Sequence, residues 1–139
     1  MSRIMGIDYG TKRTGIAVTD PLQIIASGLT TIHTKDVFDF LADYLKEEEV
    51  EKIVVGMPTH ADGNPVKITP LVIGFVRKIK KQYPHIEVDT QDERYSSVRA
   101  EEIISKSGYK KKKRHEKALV DKIAAALILE DYLKSNGEW

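Results

Sequence analysis

The sequence predicts an α/β protein: one mixed five-stranded sheet covered by helices. Three observations predict it. Three β-rich segments follow one another within the first 33 residues, joined by short polar turns. Two later apolar or β-branched segments then alternate with stretches of helical periodicity. The chain closes on a long run whose apolar residues lie on most sides of a helix, the pattern of a helix buried against a sheet. A meander followed by alternating strands and helices favours a mixed sheet with helices over it.

The elements follow in order. Arg3 to Tyr9 and Gly15 to Thr19 read as an antiparallel hairpin, and Ser27 to His33 as a third strand, β-branched and alternating. Asp36 is placed to cap a helix in which Val37, Phe38, Leu41, Tyr44 and Leu45 recur at helical spacing. Lys52 to Met57, closed by Pro58, fits a buried fourth strand, and Asp62-Gly63 marks a turn in the loop from Thr59 to Thr69. Pro70 suits the first turn of a second helix, which continues to about Tyr83. Ile86 to Thr90 is strand five. A third helix starts at Ser96 or Ser97 and stops at Gly108, and a fourth runs from about Glu116 to Lys134.

Composition bounds the function. At 139 residues, 41% hydrophobic and 31% charged, the chain is expected to form one domain spanning 1–139 with an ordinary core. It has no cysteine, which excludes disulfides, thiolate metal sites and cysteine nucleophiles. No apolar run approaches the roughly 18 residues of a membrane span. The N-terminal stretch has no signal-peptide pattern, so a cytoplasmic, non-membrane protein is expected. Net charge is +1 but unevenly placed. Asp36 to Glu51 is acidic, whereas Lys110 to Lys117 is basic, so one face can meet a polyanion while the other repels it.

Asp8 is the most informative residue. It interrupts an apolar strand just before the glycine-bracketed turn Gly10-Thr11-Lys12-Arg13-Thr14-Gly15. A carboxylate in that setting needs a metal, a cation or strong hydrogen bonds, and glycine admits a close approach to the backbone. Asp92-Glu93-Arg94 lies just past strand five, where ligands bind open sheets; a polar strand end in which Arg94 pairs with its neighbours is the alternative. Asp121 shares a helical face with Ala118, Ala125 and Ile128. It reads either as a site residue or as half of a surface ion pair with Lys117 or Lys122. If the three positions meet, hard divalent cations suit them, because Mg²⁺ takes oxygen ligands from a few carboxylates. Two such ions about 4 Å apart can activate a water and stabilise the leaving oxygen of a phosphodiester.

Five segments occur in a specific order: Gly6-Ile7-Asp8-Tyr9-Gly10-Thr11-Lys12-Arg13, Val54-Val55-Gly56-Met57-Pro58, Asp62-Gly63, Asp92-Glu93-Arg94 and Ala118-Leu119-Val120-Asp121-Lys122-Ile123-Ala124-Ala125. In these the chain resembles, over essentially its whole length, the YqgF (RuvX-like) family of the ribonuclease H-like superfamily. The resemblance implies a ribonuclease H-like fold and a hydrolase: a nuclease dependent on Mg²⁺ or Mn²⁺. By it, Asp8, Glu93 and Asp121 are catalytic and hold metal, with Asp92 as a further ligand or as the group that orients Arg94. It also implies a role in ribosome biogenesis, the maturation of the 5′ end of pre-16S ribosomal RNA, with pre-ribosomal RNA or a 30S precursor as partner. Resolution of Holliday junctions in branched DNA, a recombination activity, is the alternative, with a monomer or a homodimer as the active species. The chain departs from the family pattern at Tyr95-Ser96-Ser97, where the hydroxyls are kept, and at Asn64-Pro65-Val66-Lys67, where a glycine-and-acid-rich continuation is absent.

Nucleic-acid contacts are expected from Lys12, Arg13 and Arg94, and from the run Lys110, Lys111, Lys112, Lys113 and Arg114 before the last helix. Such cations give sequence-independent, salt-sensitive affinity. Tyr9 and Tyr95 are either stacking platforms or core residues. The four histidines show no metal-ligand spacing. Two other classes compete. Asp8-Tyr9-Gly10-Thr11 resembles the first phosphate loop of actin-like ATPases and sugar kinases, which need two lobes where this chain supplies about one. A P-loop fails, because Ile16-Ala17 stands where Gly-Lys-Ser/Thr should continue. A non-catalytic RNA-binding assembly factor would keep the basic run and need no carboxylate trio.

Overall fold

A computed structural model describes residues 2–58, 66–93, 96–106, 113–137 and 139, with backbone alone at 96, 97 and 113–116. The Asp62-Gly63 turn and the Gly108 helix stop fall outside these residues. The sheet contains β1 (Arg3–Tyr9), β2 (Arg13–Thr19), β3 (Ala26–His33), β4 (Val50–Pro58) and β5 (Glu87–Glu93). Its order is β3-β2-β1-β4-β5. The first three strands pair antiparallel, whereas β4 runs parallel to both β1 and β5. The helices are α1 (Val37–Glu47), α2 (Thr69–Gln82), α3 (Ser96–Lys106) and α4 (Lys113–Ser135). This is the mixed α/β sheet that the sequence predicts.

Strand alternation divides the core into two layers. On one face Met5, Ile7, Ile16, Val18, Ile53 and Val55 pack against Val37 and Leu41 of α1 and Val72, Phe75, Val76 and Ile79 of α2. On the other, Ile4, Ala17 and Val54 meet Ala125, Ile128, Leu129, Tyr132 and Leu133 of α4. Central β4 is covered on both sides, which is why Ile53-Val54-Val55 has no polar alternation. Helix α3 packs on α4 through Ala100, Ala124 and Leu127 and is tied to it by the Arg99–Asp131 ion pair at 2.7 Å.

Local signals explain most boundaries. Pro70 lies in the first turn of α2, where its missing N–H costs nothing. Asp36 holds the cap position of α1, after a single 3₁₀ turn, Thr34–Asp36, but makes no side-chain capping bond. Two boundaries differ from expectation by three residues. Strand β5 continues three residues past Thr90, and α4 begins at Lys113, inside the basic run. Gly74 sits on the exposed side of α2, and a Cβ there would meet nothing within 4 Å. Gly74→Ala should therefore stabilise the protein by about 1 kcal/mol through helix propensity alone, read as a rise of about 3 °C in thermal melting.

Candidate active site

The seat of α4 builds the site. Four strand glycines lie beneath the helix. A Cβ on Gly6 would stand 2.9 Å from both the Ala125 carbonyl oxygen and Leu129 Cβ. One on Gly15 would overlap the Asp121 backbone, with the carbonyl carbon at 2.5 Å. One on Gly28 would strike the Lys122 side chain, and one on Gly56 would lie 2.6 Å from Ile128 Cδ1 and 2.8 Å from Glu93 Oε2. Any side chain at Gly6 or Gly15 would lift the helix from the sheet, so glycine lets its backbone rest on the strands. Thr31 Oγ1 donates to the Ala118 carbonyl at 2.5 Å and fixes the helix along β3.

This seat brings the three predicted carboxylates together. Asp8 pairs in register with Gly15, directly under the Asp121 turn. Asp8 shares the α4-facing side of β1 with Ile4 and Gly6. Glu93 ends β5 opposite Pro58, and its carboxylate lies over Gly56, on the same side of the sheet. Asp8 keeps partial access to solvent, yet its carboxyl is raised well above the usual carboxylate range. Burial is the largest cause, followed by the negative charges of Glu93 and Asp121 and by a side-chain hydrogen bond with Glu93.

Arg13 supplies the remaining counter-charge. Its Nε donates to Asp121 Oδ2 at 2.6 Å, with Arg13 40% and Asp121 17% exposed in their side chains. Of the two readings open for Asp121, the ion-pair one named Lys117 or Lys122, but the partner is Arg13, and the Lys122 stem lies over Gly28. Asp92 takes a different position from Glu93. It is exposed, and it pairs in register with Met57, whose side chain packs on the α1 and α2 side. Alternation therefore points Asp92 away from Asp8. Lys12 is exposed in the β1–β2 turn, and its carbonyl accepts a bond from the Thr34 amide at 3.0 Å. Tyr9 packs into the core, stacked on Phe75 at 4.4 Å. Arg94, Tyr95, Lys110, Lys111 and Lys112 lie outside the described residues. Lys113 and Arg114 open α4, and their side chains are not among those described.

The donor set has the chemistry of a hard divalent-cation site: carboxylate oxygen atoms from Asp8, Glu93 and Asp121. As the chain is folded, no group of three or more acidic or histidine side chains is gathered to hold a metal among the described residues. Asp8 and Glu93 face each other, whereas Asp121 is engaged by Arg13. Spacing along the chain reveals neither the glycine seat nor the Arg13 contact. The only signal of the seat is the presence of glycine inside strands at Gly6, Gly15, Gly28 and Gly56.

The sheet order, its parallel and antiparallel pairings and the α4 seat define a ribonuclease H-like fold, with Asp8 and Glu93 toward the carboxyl ends of β1 and β5. Residues 2–135 match the family described as "RuvX: Holliday junction resolvase", and the chain belongs to that family. Among its relatives, a protein of Flavobacterium psychrophilum named "Putative pre-16S rRNA nuclease" is 49% identical over 133 residues, covering 96% of this chain and 97% of its own length. A Bacteroides fragilis protein of the same name is 47% identical over 135 residues, covering 97% and 98%. In fold the chain is similar to Thermus thermophilus RuvC solved with a Holliday junction substrate, with a TM-score of 0.56, 17% identity and coverage of 98% and 97%. A second Thermus thermophilus RuvC structure gives 0.53 and 14%, with 96% of each chain covered. Family and relatives together place the chain among the nucleases. No helix among the described residues is long and apolar enough to cross a membrane.

Proposed function

We propose that this protein is a divalent-cation-dependent endonuclease that cuts structured RNA in the cytoplasm and processes the 5′ end of pre-16S ribosomal RNA. The observation that carries the reading is the convergence of Asp8, Glu93 and Asp121 on one side of the sheet, where burial and the two neighbouring charges raise the Asp8 pKa. The names of the full-length relatives support the choice of substrate. Asp8 and Glu93 would hold Mg²⁺ or Mn²⁺, and Asp121 would join them once Arg13 is released. The bound cation would supply charge stabilisation and a more acidic attacking water. The chain's own part is to hold the scissile phosphate beside Asp8, at the open carboxyl edge of β1, and to keep cations ready on the flanking turn and on the first turn of α4.

Cleavage of a pre-16S 5′ fragment and of a four-way DNA junction, side by side in Mg²⁺, Mn²⁺ or EDTA, tests the reading. Metal-dependent cutting of the RNA, lost in EDTA, is expected. The family description favours a second reading, junction resolution. Paired cuts in the junction, which call for a symmetric dimer, would select that reading, and no cutting of either substrate would favour a binding factor. Replacing Lys111, Lys112, Lys113 and Arg114 by Ala should weaken RNA binding at every sequence. The slope of log affinity against log salt should become shallower by about one for each phosphate that is no longer neutralised. An unchanged slope in a filter-binding titration would remove that run from the interface.

A further inference from the structure

We propose that Arg13 is a tethered cation that holds Asp121 in the free enzyme and surrenders it when a divalent cation arrives. The inference rests on the metal-site reading above and concerns how that site is kept before loading. Three observations support it. The Arg13–Asp121 contact is short and spans 108 positions of sequence, from the first residue of β2 to the middle of α4. It joins the one member of the cluster that lies on a helix to the turn that follows Asp8. Asp121 thereby gains a counter-charge at its Oδ2. Arg13 also lines an open groove of about 490 Å³ with Thr31, His33, Asp36 and Asp39. Arg13 therefore has open space beside it into which it can leave Asp121, with acidic residues lining the same groove.

A fixed positive charge on a ligand carboxylate competes with any metal for that oxygen. A partly exposed ion pair is worth up to about 1 kcal/mol, or about fivefold in an equilibrium constant. The Arg13 contact occupies Asp121 Oδ2, an oxygen that a metal would otherwise take.

The test is a double-mutant cycle read by calorimetric titration of Mn²⁺ into the whole protein without substrate. Wild type, Arg13→Gln, Asp121→Asn and the double variant are compared, with Arg13→Lys as the charge-conserving control and circular dichroism as the check on folding. Arg13→Gln is expected to bind Mn²⁺ about fivefold tighter than wild type, and Arg13→Lys nearly as wild type. The gain from Arg13→Gln should vanish in the Asp121→Asn background, since nothing is then left to release. Equal or weaker Mn²⁺ binding by Arg13→Gln, with wild type binding normally, overturns the role of Arg13 and leaves the metal site standing. Absence of Mn²⁺ binding by wild type and every variant overturns the metal reading and this inference with it. A gain that persists in the Asp121→Asn background also overturns the inference, because the competition is then not for Asp121.

Discussion

Asp8→Asn is expected to abolish cleavage, by at least about 10³-fold in kcat, and at the same time to raise the melting temperature of the metal-free protein. Loss and gain have one cause. Asp8 is buried beside Glu93 and Asp121, and burial first, then their negative charges, raises its pKa. Its proton is bound more tightly in the folded chain than in the unfolded one. The stability this contributes is whole below the unfolded value of about 3.8 and is lost as pH rises through the folded value. Asparagine removes the penalty on the alkaline side. Each kcal/mol of relieved repulsion is worth about 3 °C in a chain of this size. Melting curves in EDTA at neutral pH and at pH 4 check this: the advantage of the variant should be clear at neutral pH and small at pH 4. Divalent cations should reverse the order, raising the wild type and leaving the variant unmoved. A variant that melts below wild type in EDTA at neutral pH would show that Asp8 is not strained by its neighbours.

Gly15→Ala should be the most damaging change of a single methyl group in the molecule. The added Cβ would run into the backbone of Asp121, where no rotamer change can relieve the overlap, and α4 must lift away from β2. Overpacking of this kind costs about 1–3 kcal/mol, and more where backbone is struck. A fall of at least about 3–9 °C in thermal melting is expected. Cleavage should fall further than stability, because the displaced turn carries Asp121 away from Asp8. Gly74→Ala is the matched control, a glycine replaced in the same way on an open helix face. Activity retained by Gly15→Ala at a temperature where it is folded would mean that the position of Asp121 does not matter to the chemistry.

The family resemblance spans the chain, and much of the fold is local in origin. The meander needs only the short turns and alternation of residues 3–33, and α2 needs Pro70 and its apolar period. Strand β5 is harder. Its last three residues, Gln91-Asp92-Glu93, carry no apolar alternation: they are polar, belong to an outer strand and are not part of the hydrophobic clusters. Pattern alone therefore ends the strand at Thr90. With the strand continued through Glu93, alternation separates Asp92 from Glu93, a distinction a loop would not make. The start of α4 is similarly hidden, since Lys113-Arg114-His115 has no apolar period.

The sequence by itself determined which residue types could do chemistry and roughly where they lie along the chain. A carboxylate in an apolar strand, an acidic strand end and an acid on an apolar helix are local anomalies, legible because burial of charge is costly wherever it occurs. Only the tertiary structure decided how they relate. It placed Asp8, Glu93 and Asp121 on the α4 side of the sheet and left Asp92 on the other. It also paired Asp121 with Arg13 in place of the nearer lysines, Lys117 and Lys122. Sequence spacing records neighbours along a helix or strand, whereas an ion pair across 108 positions depends on how closely α4 sits on the glycines of the sheet. That closeness is set by packing, and packing belongs to the whole fold.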